Sequence, residues 1–160
     1  MPTPDFIRHL RATVGQQLLW LPGVSAVVLD DEKRILLQHR VDDRRWALIS
    51  GILDPGEQPA AAVVREVNEE TGVECVVERL LAVHSEQPMT YSNGDVCQFM
   101  NLCFQARAVG GTARVNDDES LEVGWFTPDA LPEDMADHHM LRIEQALADE
   151  PTWFATTSAD

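Results

Sequence analysis

Three glutamates, Glu66, Glu69 and Glu70, fall within five consecutive residues. The segment around them, Pro59 to Thr71, reads as a helix, with Pro59 at its first position and Gly72 at its C-terminal cap. On a helix, spacings of three and four put all three carboxylates on one face, and each like-charge pair weakens the helix by about 0.2–0.5 kcal/mol. A hard, oxygen-seeking cation such as Mg²⁺ or Mn²⁺ among them relieves that repulsion. Arg65 precedes Glu69 by four residues and can hold that carboxylate in place. Ala60, Ala61, Val63, Val64 and Val67 supply an apolar side for packing on a sheet. Before the helix, Gly51, Pro55 and Gly56 allow a loop to bring its backbone close to a ligand or metal. Glu57 suits the positive end of the helix dipole. Carboxylates clustered in this way fit hydrolysis of a phosphoanhydride. The cations they hold neutralise phosphate oxygens and acidify a water, and a carboxylate not fully used as a ligand takes the proton.

The elements that must position this helix follow from the pattern on either side. Thr3 and Pro4 start a helix whose apolar stripe runs through Ile7, Leu10, Val14, Leu18 and Leu21 until Pro22-Gly23 stops it. Val24 to Leu29 is β-branched and reads as a buried strand, Asp30 to Lys33 as a turn, and Ile35 to Arg40 as a second strand. Trp46 to Ile49 is a third, short one. After the glutamate helix come a β-rich run from Val73 to Val83 and a tight hairpin at Asn93-Gly94. The strand beyond it, through Phe104, has both faces apolar. Gly110-Gly111 breaks the chain, and Leu121, Val123 and Trp125 alternate into another strand. A last helix spans Met135 to Ala148, and the tail from Pro151 is expected to be loosely held. This order predicts one α/β domain with a mixed sheet: a helical extension over 1–22, a core over 23–150 and a tail over 151–160. The phosphate-binding patterns GxGxxG and GxxxxGK[ST] are absent, which argues against a doubly wound nucleotide fold.

Charge narrows the partners. The 160-residue chain carries 27 acidic against 12 basic residues, a formal charge of −15, while its 44% hydrophobic content suffices for a core. Polymeric nucleic acid and an anionic membrane surface are both excluded as electrostatic partners, since each needs clustered Lys and Arg. A small anionic substrate would have to be brought in by divalent cations. Cys75, Cys97 and Cys103 are odd in number and read as free thiols in a reducing compartment. Asp5, Arg8 and Arg11 precede any apolar run, so the N-terminus does not read as a signal peptide. No stretch approaches the roughly 18 apolar residues of a membrane span. A soluble, cytoplasmic protein is expected.

The segment Gly51 to Val73 resembles the Nudix box, GX5EX7REUXEEXGU with U a bulky aliphatic residue. All nine specified positions match: Gly51, Glu57, Arg65, Glu66, Val67, Glu69, Glu70, Gly72 and Val73. The flanking VSAVVL, ILLQHR, WALISG and ESLEVGWF extend the likeness over about residues 23 to 131. The resemblance implies a Nudix-type α/β/α sandwich with an extra N-terminal helix. That helix serves either core packing or a homodimer contact. The resemblance also implies a Mg²⁺-dependent pyrophosphohydrolase, with Mn²⁺ able to substitute, acting on a small nucleoside diphosphate derivative. In that family the metals are held by the residues matching Glu66, Glu69 and Glu70, often with the carbonyl before the box glycine, here Ser50. Arg65 orients a glutamate, and Glu57 supports the loop or a ligand-borne metal. The general base is Glu69 or a glutamate recruited from outside the box; Glu119, in the Asp117 to Glu119 loop, is preferred over Glu122.

Further candidates are single residues. Arg40, Arg44 and Arg45 are a basic cluster able to grip a phosphate, or a solvated loop. Trp46 either lines the substrate cleft or packs in the core, and Tyr91, Phe99 and Phe104 pose the same choice. Pro88 stands fifteen residues past Val73, a spacing shared with the ADP-ribose subgroup that does not by itself select a substrate. Triphosphates including oxidised ones, ADP-ribose, nucleotide sugars and dinucleoside polyphosphates therefore all remain open.

Overall fold

A computed structural model of the chain describes residues 4–91 and 93–156; the expected cap at Thr3 lies outside them. The elements run α1 (Asp5–Val14), β1 (Leu19–Leu29), β2 (Ile35–Arg40), β3 (Trp46–Ala47), β4 (Ile49–Ile52) and α2 (Pro59–Thr71), then β5 (Val73–Ser85), β6 (Met89–Thr90), β7 (Val96–Gly111), β8 (Ser120–Phe126), α3 (Asp137–Leu147) and β9 (Trp153–Phe154). The strands form one mixed sheet with the path β3-β2-β1-β7-β5-β9, onto which β4 pairs with β1, β6 with β7 and β8 with β2. β1 and β7 run parallel from Leu19 opposite Cys97 to Leu29 opposite Arg107. The α/β class and the mixed sheet are as expected.

The β1 side chains sort by parity between two layers. Val24, Ala26 and Val28 join Val63 and Val67 of α2 in one core cluster. Val27 and Leu29 join Ile143 and Ala146 of α3 in another, on the opposite face. A third cluster seats α1 through Ile7 against Leu21, Cys97 and Phe99.

The N-terminal helix is present but shorter than its stripe suggested. It stops at Val14 because Gly15 takes φ of 59°, and the chain enters the sheet at Leu19. Leu18 and Leu21 fit a helical stripe, but from Leu19 to Pro22 exposure alternates with period two, as in a strand. Pro22 is accommodated because the antiparallel pairing with β4 begins only at Gly23. The tail also departs from expectation: Trp153 and Phe154 pair with Ala82 and Val83 of β5. Gly110-Gly111 are the last two residues of β7, still paired with β5, and the strand ends with them as expected.

Candidate active site

The box helix has the bounds read from sequence. Pro59 occupies its first turn, and Gly72, at φ of 68°, closes it with its N–H on the Asn68 carbonyl. Its buried residues are Ala62, Val63, Glu66, Val67, Glu70 and Thr71, a single stripe at four-residue spacing. The apolar first half of this stripe packs the helix on the sheet, and continuing it carries Glu66 and Glu70 inside. Packing therefore differs from the expected face: Ala60, Ala61 and Val64 are exposed. The three glutamates also separate. Glu66 and Glu70 are 3% and 2% exposed, whereas the Glu69 side chain is 45% exposed.

Arg65 organises the near side of the cluster. Its Nε and Nη2 donate to the two oxygens of Glu57, each at 2.8 Å, and its Nη1 donates to Glu66 at 2.8 Å and to Glu69 at 3.2 Å. Glu57 also accepts the Asp54 N–H at 3.1 Å, so the loop before the helix is tied through Arg65 to the helix's second turn. Gly51 of β4 lies directly under Glu66, where an added Cβ would overlap the carboxylate. Ser50, its neighbour, pairs with Ser25 of β1.

The far side is built by other elements. Gln38, fully buried in β2, donates to Glu70 at 2.8 Å and accepts from the Ser120 hydroxyl at 2.8 Å. Before β8, the loop brings Asp117 and Glu119 to Glu70, with one carboxylate oxygen of each within 4.8 Å of the others. The Glu119 N–H donates to Asp117 at 3.2 Å and its carbonyl accepts from Val41 at 2.8 Å, which fixes the loop. Glu122, the alternative, is exposed on β8 opposite His39.

Burial raises the Glu66 carboxyl to about 7, against the pull of Arg65. Burial, with Glu66 and Asp117 adding to it, raises Glu70 to about 8. Asp117 is raised too, chiefly by burial. Three carboxylates within 4.8 Å of one another, all oxygen donors, suit a hard divalent cation, whose charge would favour the ionised form of Glu70.

The other expected residues stand around this centre. Arg40 and Asp42 form a two-pronged pair at 2.9 and 2.7 Å that holds both charged, and Arg40 is near enough to oppose the rise at Glu70. Arg44 is exposed with φ of 55°, its carbonyl bonded to His39 at 3.0 Å. Arg45 is engaged elsewhere, on the Asp134 carbonyl at 2.7 Å. Trp46 stacks on His39 at 5.2 Å and meets Phe126 edge-on at 4.7 Å, against the core under α3. Phe99 and Phe104 are core residues, while Tyr91 is 39% exposed. Sequence reasoning passed over Gln38, although a lone amide inside ILLQHR was a signal, since a buried polar group needs a partner.

A profile of the NUDIX domain matches residues 19–147, from the first residue of β1 to the last of α3. The chain belongs to the Nudix family. A MutT-like protein of Streptomyces ambofaciens is 36% identical over 125 residues, spanning 78% of this chain and 75% of that protein. Human 8-oxo-dGDP phosphatase NUDT18 is 33% identical over 131 residues, where the match takes in 78% of this chain but only 38% of the human protein. The crystal structure of a MutT NUDIX hydrolase from Burkholderia pseudomallei superposes with a TM-score of 0.63 at 31% identity, covering 79% of this chain and 98% of that one. The Nudix match begins after α1, so α1 is an addition to the matched region.

Proposed function

We propose that this Nudix protein hydrolyses a pyrophosphate bond in a small nucleoside diphosphate derivative with Mg²⁺, or Mn²⁺ in its place. The observation that carries the reading is the convergence of Glu70, Asp117 and Glu119, oxygen donors drawn from two separate segments, with the buried Glu66 one helical turn before Glu70. Glu66, Glu69 and Glu70, with the Ser50 carbonyl, hold the cations. Bound there, the cations neutralise the phosphate oxygens and acidify the attacking water. Arg65 keeps Glu66 and Glu69 aimed while Glu57 anchors Arg65. Glu119 takes the proton from the attacking water, from a loop that Val41 and Asp117 hold beside Glu70. Arg40, with Arg44 at the rim, receives phosphate oxygens, and Trp46 stiffens the strand that carries the loop.

Names of relatives supply the first substrates to try, since the human relative is named for 8-oxo-dGDP. A cytoplasmic setting suits three thiols that are all buried and free, and no helix among the described residues is long and apolar enough to cross a membrane. The test is a panel of oxidised and ordinary nucleotides, ADP-ribose, nucleotide sugars and dinucleoside polyphosphates with each metal, products resolved by chromatography. Glu66→Gln and Glu70→Gln should each lower kcat by on the order of 10²–10³. Unchanged turnover in both variants, or no product from any member with either metal, overturns the reading.

A further inference from the structure

The sheet face under α3 is apolar through Val27, Leu29, Leu37, Leu81 and Ala82, but one row across it is polar. Ser50 pairs with Ser25, Ser25 lies one strand from Asn101, and Asn101 pairs with His84, so the row crosses β4, β1, β7 and β5 in their order in the sheet. It begins at Ser50, whose neighbour Gly51 lies under Glu66 on the other face of the sheet, and spans three strand spacings, about 14 Å. Ser25 and Asn101, each 8% exposed, bond at 2.8 Å. Glu86 bonds Asn101 and stands 3.9 Å from His84 Nε2.

At the far end of the row is Arg142 of α3, only 5% exposed. Its Nη1 donates to the Gln145 amide oxygen at 2.7 Å, its Nη2 meets His84 Nδ1 at 3.3 Å, and the Trp153 ring lies 4.7 Å away over the guanidinium. Its Nε is buried with no partner. An amide, an imidazole and an indole face are all neutral, and His84 is pushed down to about 4 by burial and by Arg142 itself. Among the described residues no carboxylate lies within ion-pair distance of Arg142. A guanidinium does not shed its charge, and a buried charge without a counter-ion is costly. In a chain of net charge −15 a carboxylate partner would have been easy to supply.

We propose that Arg142 is the anchor for a second anionic group of the substrate, a phosphate or carboxylate on the part remote from the bond that is cut. The proposal rests on the hydrolase reading above and narrows its substrate class to nucleoside diphosphate derivatives carrying such a group. The substrate lies along the polar row, and its remote oxyanion takes the place of the Trp153 ring over the guanidinium. Trp153 is suited to yielding that place. It sits on a two-residue strand held by its pairing with Ala82 and Val83 and by a Thr152 hydroxyl bond to the Leu80 carbonyl at 2.8 Å, and the residue is 38% exposed.

Matched pairs test this: coenzyme A against dephospho-coenzyme A, ADP-ribose 2′-phosphate against ADP-ribose, and UDP-glucuronate against UDP-glucose. In at least one pair the anionic member should have a tenfold or greater advantage in kcat/KM, residing in KM, and which pair responds separates phosphate from carboxylate. Arg142→Gln should bring that ratio to about one, and Arg142→Lys should recover part of it, which a merely structural arginine would not do. If Arg142→Gln fails to fold, Trp153→Ala serves instead, lowering KM for the anionic member alone. Parity in all three pairs while the neutral members are hydrolysed overturns the anchor and leaves the hydrolase reading standing. If no member is hydrolysed, the hydrolase reading fails, and thermal shifts decide the anchor: a larger shift with the anionic member, lost in Arg142→Gln, upholds it, and equal shifts overturn it.

Discussion

Beneath α2 the buried charges are the carboxylates of Glu66 and Glu70; beneath α3 the buried charge is the guanidinium of Arg142. The two faces handle charge differently. On the α2 face, Arg65 meets three carboxylates at once, Gln38 donates to Glu70, and Asp117 and Glu119 add further oxygens around it. Negative charge is in excess there, and a cation completes the balance. On the α3 face the cation has only neutral neighbours. One sheet thus carries an electronegative pocket beneath α2 and an electropositive point beneath α3.

The sharpest way to break the α2 half of this comparison leaves every charge in place. Gly51→Ala puts a methyl where the Glu66 carboxylate lies, so Glu66 must swing away from Arg65 and from the site. Because a displacement of about 1 Å can cost about a hundredfold in rate, kcat should fall by about that factor. Circular dichroism should stay unchanged and the Mg²⁺ requirement should shift upward. Full activity in Gly51→Ala would mean that Glu66 is not used.

Arg65→Met breaks the same face by removing its cation. Losing one member of a buried ion pair costs about 3–5 kcal/mol. The Arg65 side chain is 24% exposed, so solvent screens part of that and about 2 kcal/mol is expected. Urea unfolding measures it. Saturating Mg²⁺ should return a large share of the loss, because the released carboxylates gain a metal instead. No such rescue is expected for any substitution on the α3 face.

These effects centre on elements whose reading from sequence was secure, and the contrast with the rest of the chain has physical causes. Pro59 and Gly72 mark the ends of α2 through backbone chemistry that no tertiary contact overrides. The division of the glutamates, with Glu69 outside, follows from which stripe packs on the sheet, and the valines at 63, 64 and 67 left two faces open. Leu21 fits either period, and its stretch of strand exists only because Cys97 to Met100 pairs with Leu19 to Pro22 from far along the chain. A two-residue strand such as β9 has no periodicity to read. The polar row was hidden for a similar reason: Ser25, Asn101 and His84 are single polar residues in separate apolar strands, brought together by register alone.

The two faces should also titrate in opposite senses. For Glu66 and Glu70 the folded values, about 7 and 8, lie above the ordinary carboxylate value of 4.5. Their contribution to stability is therefore present below that value and lost as pH rises through 7 and 8. For His84 the folded value, about 4, lies below the ordinary 6.5. Its contribution is present above 6.5 and lost as pH falls toward 4. With EDTA present, Tm should peak between about pH 4.5 and 6.5 and decline on both sides. Mg²⁺ should lift only the alkaline limb, since it binds ionised carboxylates and leaves the histidine untouched. An alkaline limb that ignores Mg²⁺ would sever the cation from these two residues.

The smallest effect is expected at a third arginine, which separates a compensated cation from an uncompensated one. Arg11 of α1 donates to the carbonyls of Gly15 and Gln17 at 3.0 and 2.6 Å and to that of Val96 at 2.7 Å, and it pairs with Asp95 at 3.3 Å. It fastens α1 to the start of β7, where Ile7 packs against Leu21, Cys97 and Phe99. Unlike Arg142, it has a carboxylate and three carbonyls, so its charge is already answered within the chain. Arg11→Met should cost about 1 kcal/mol, the worth of a partly exposed charged hydrogen-bond set after solvent competes for it, and kcat and KM should not change. A loss of ligand discrimination in Arg11→Met comparable to that in Arg142→Gln would show that a buried arginine of any kind disturbs the fold enough to alter substrate choice. The distinction between the two faces would then lose its meaning.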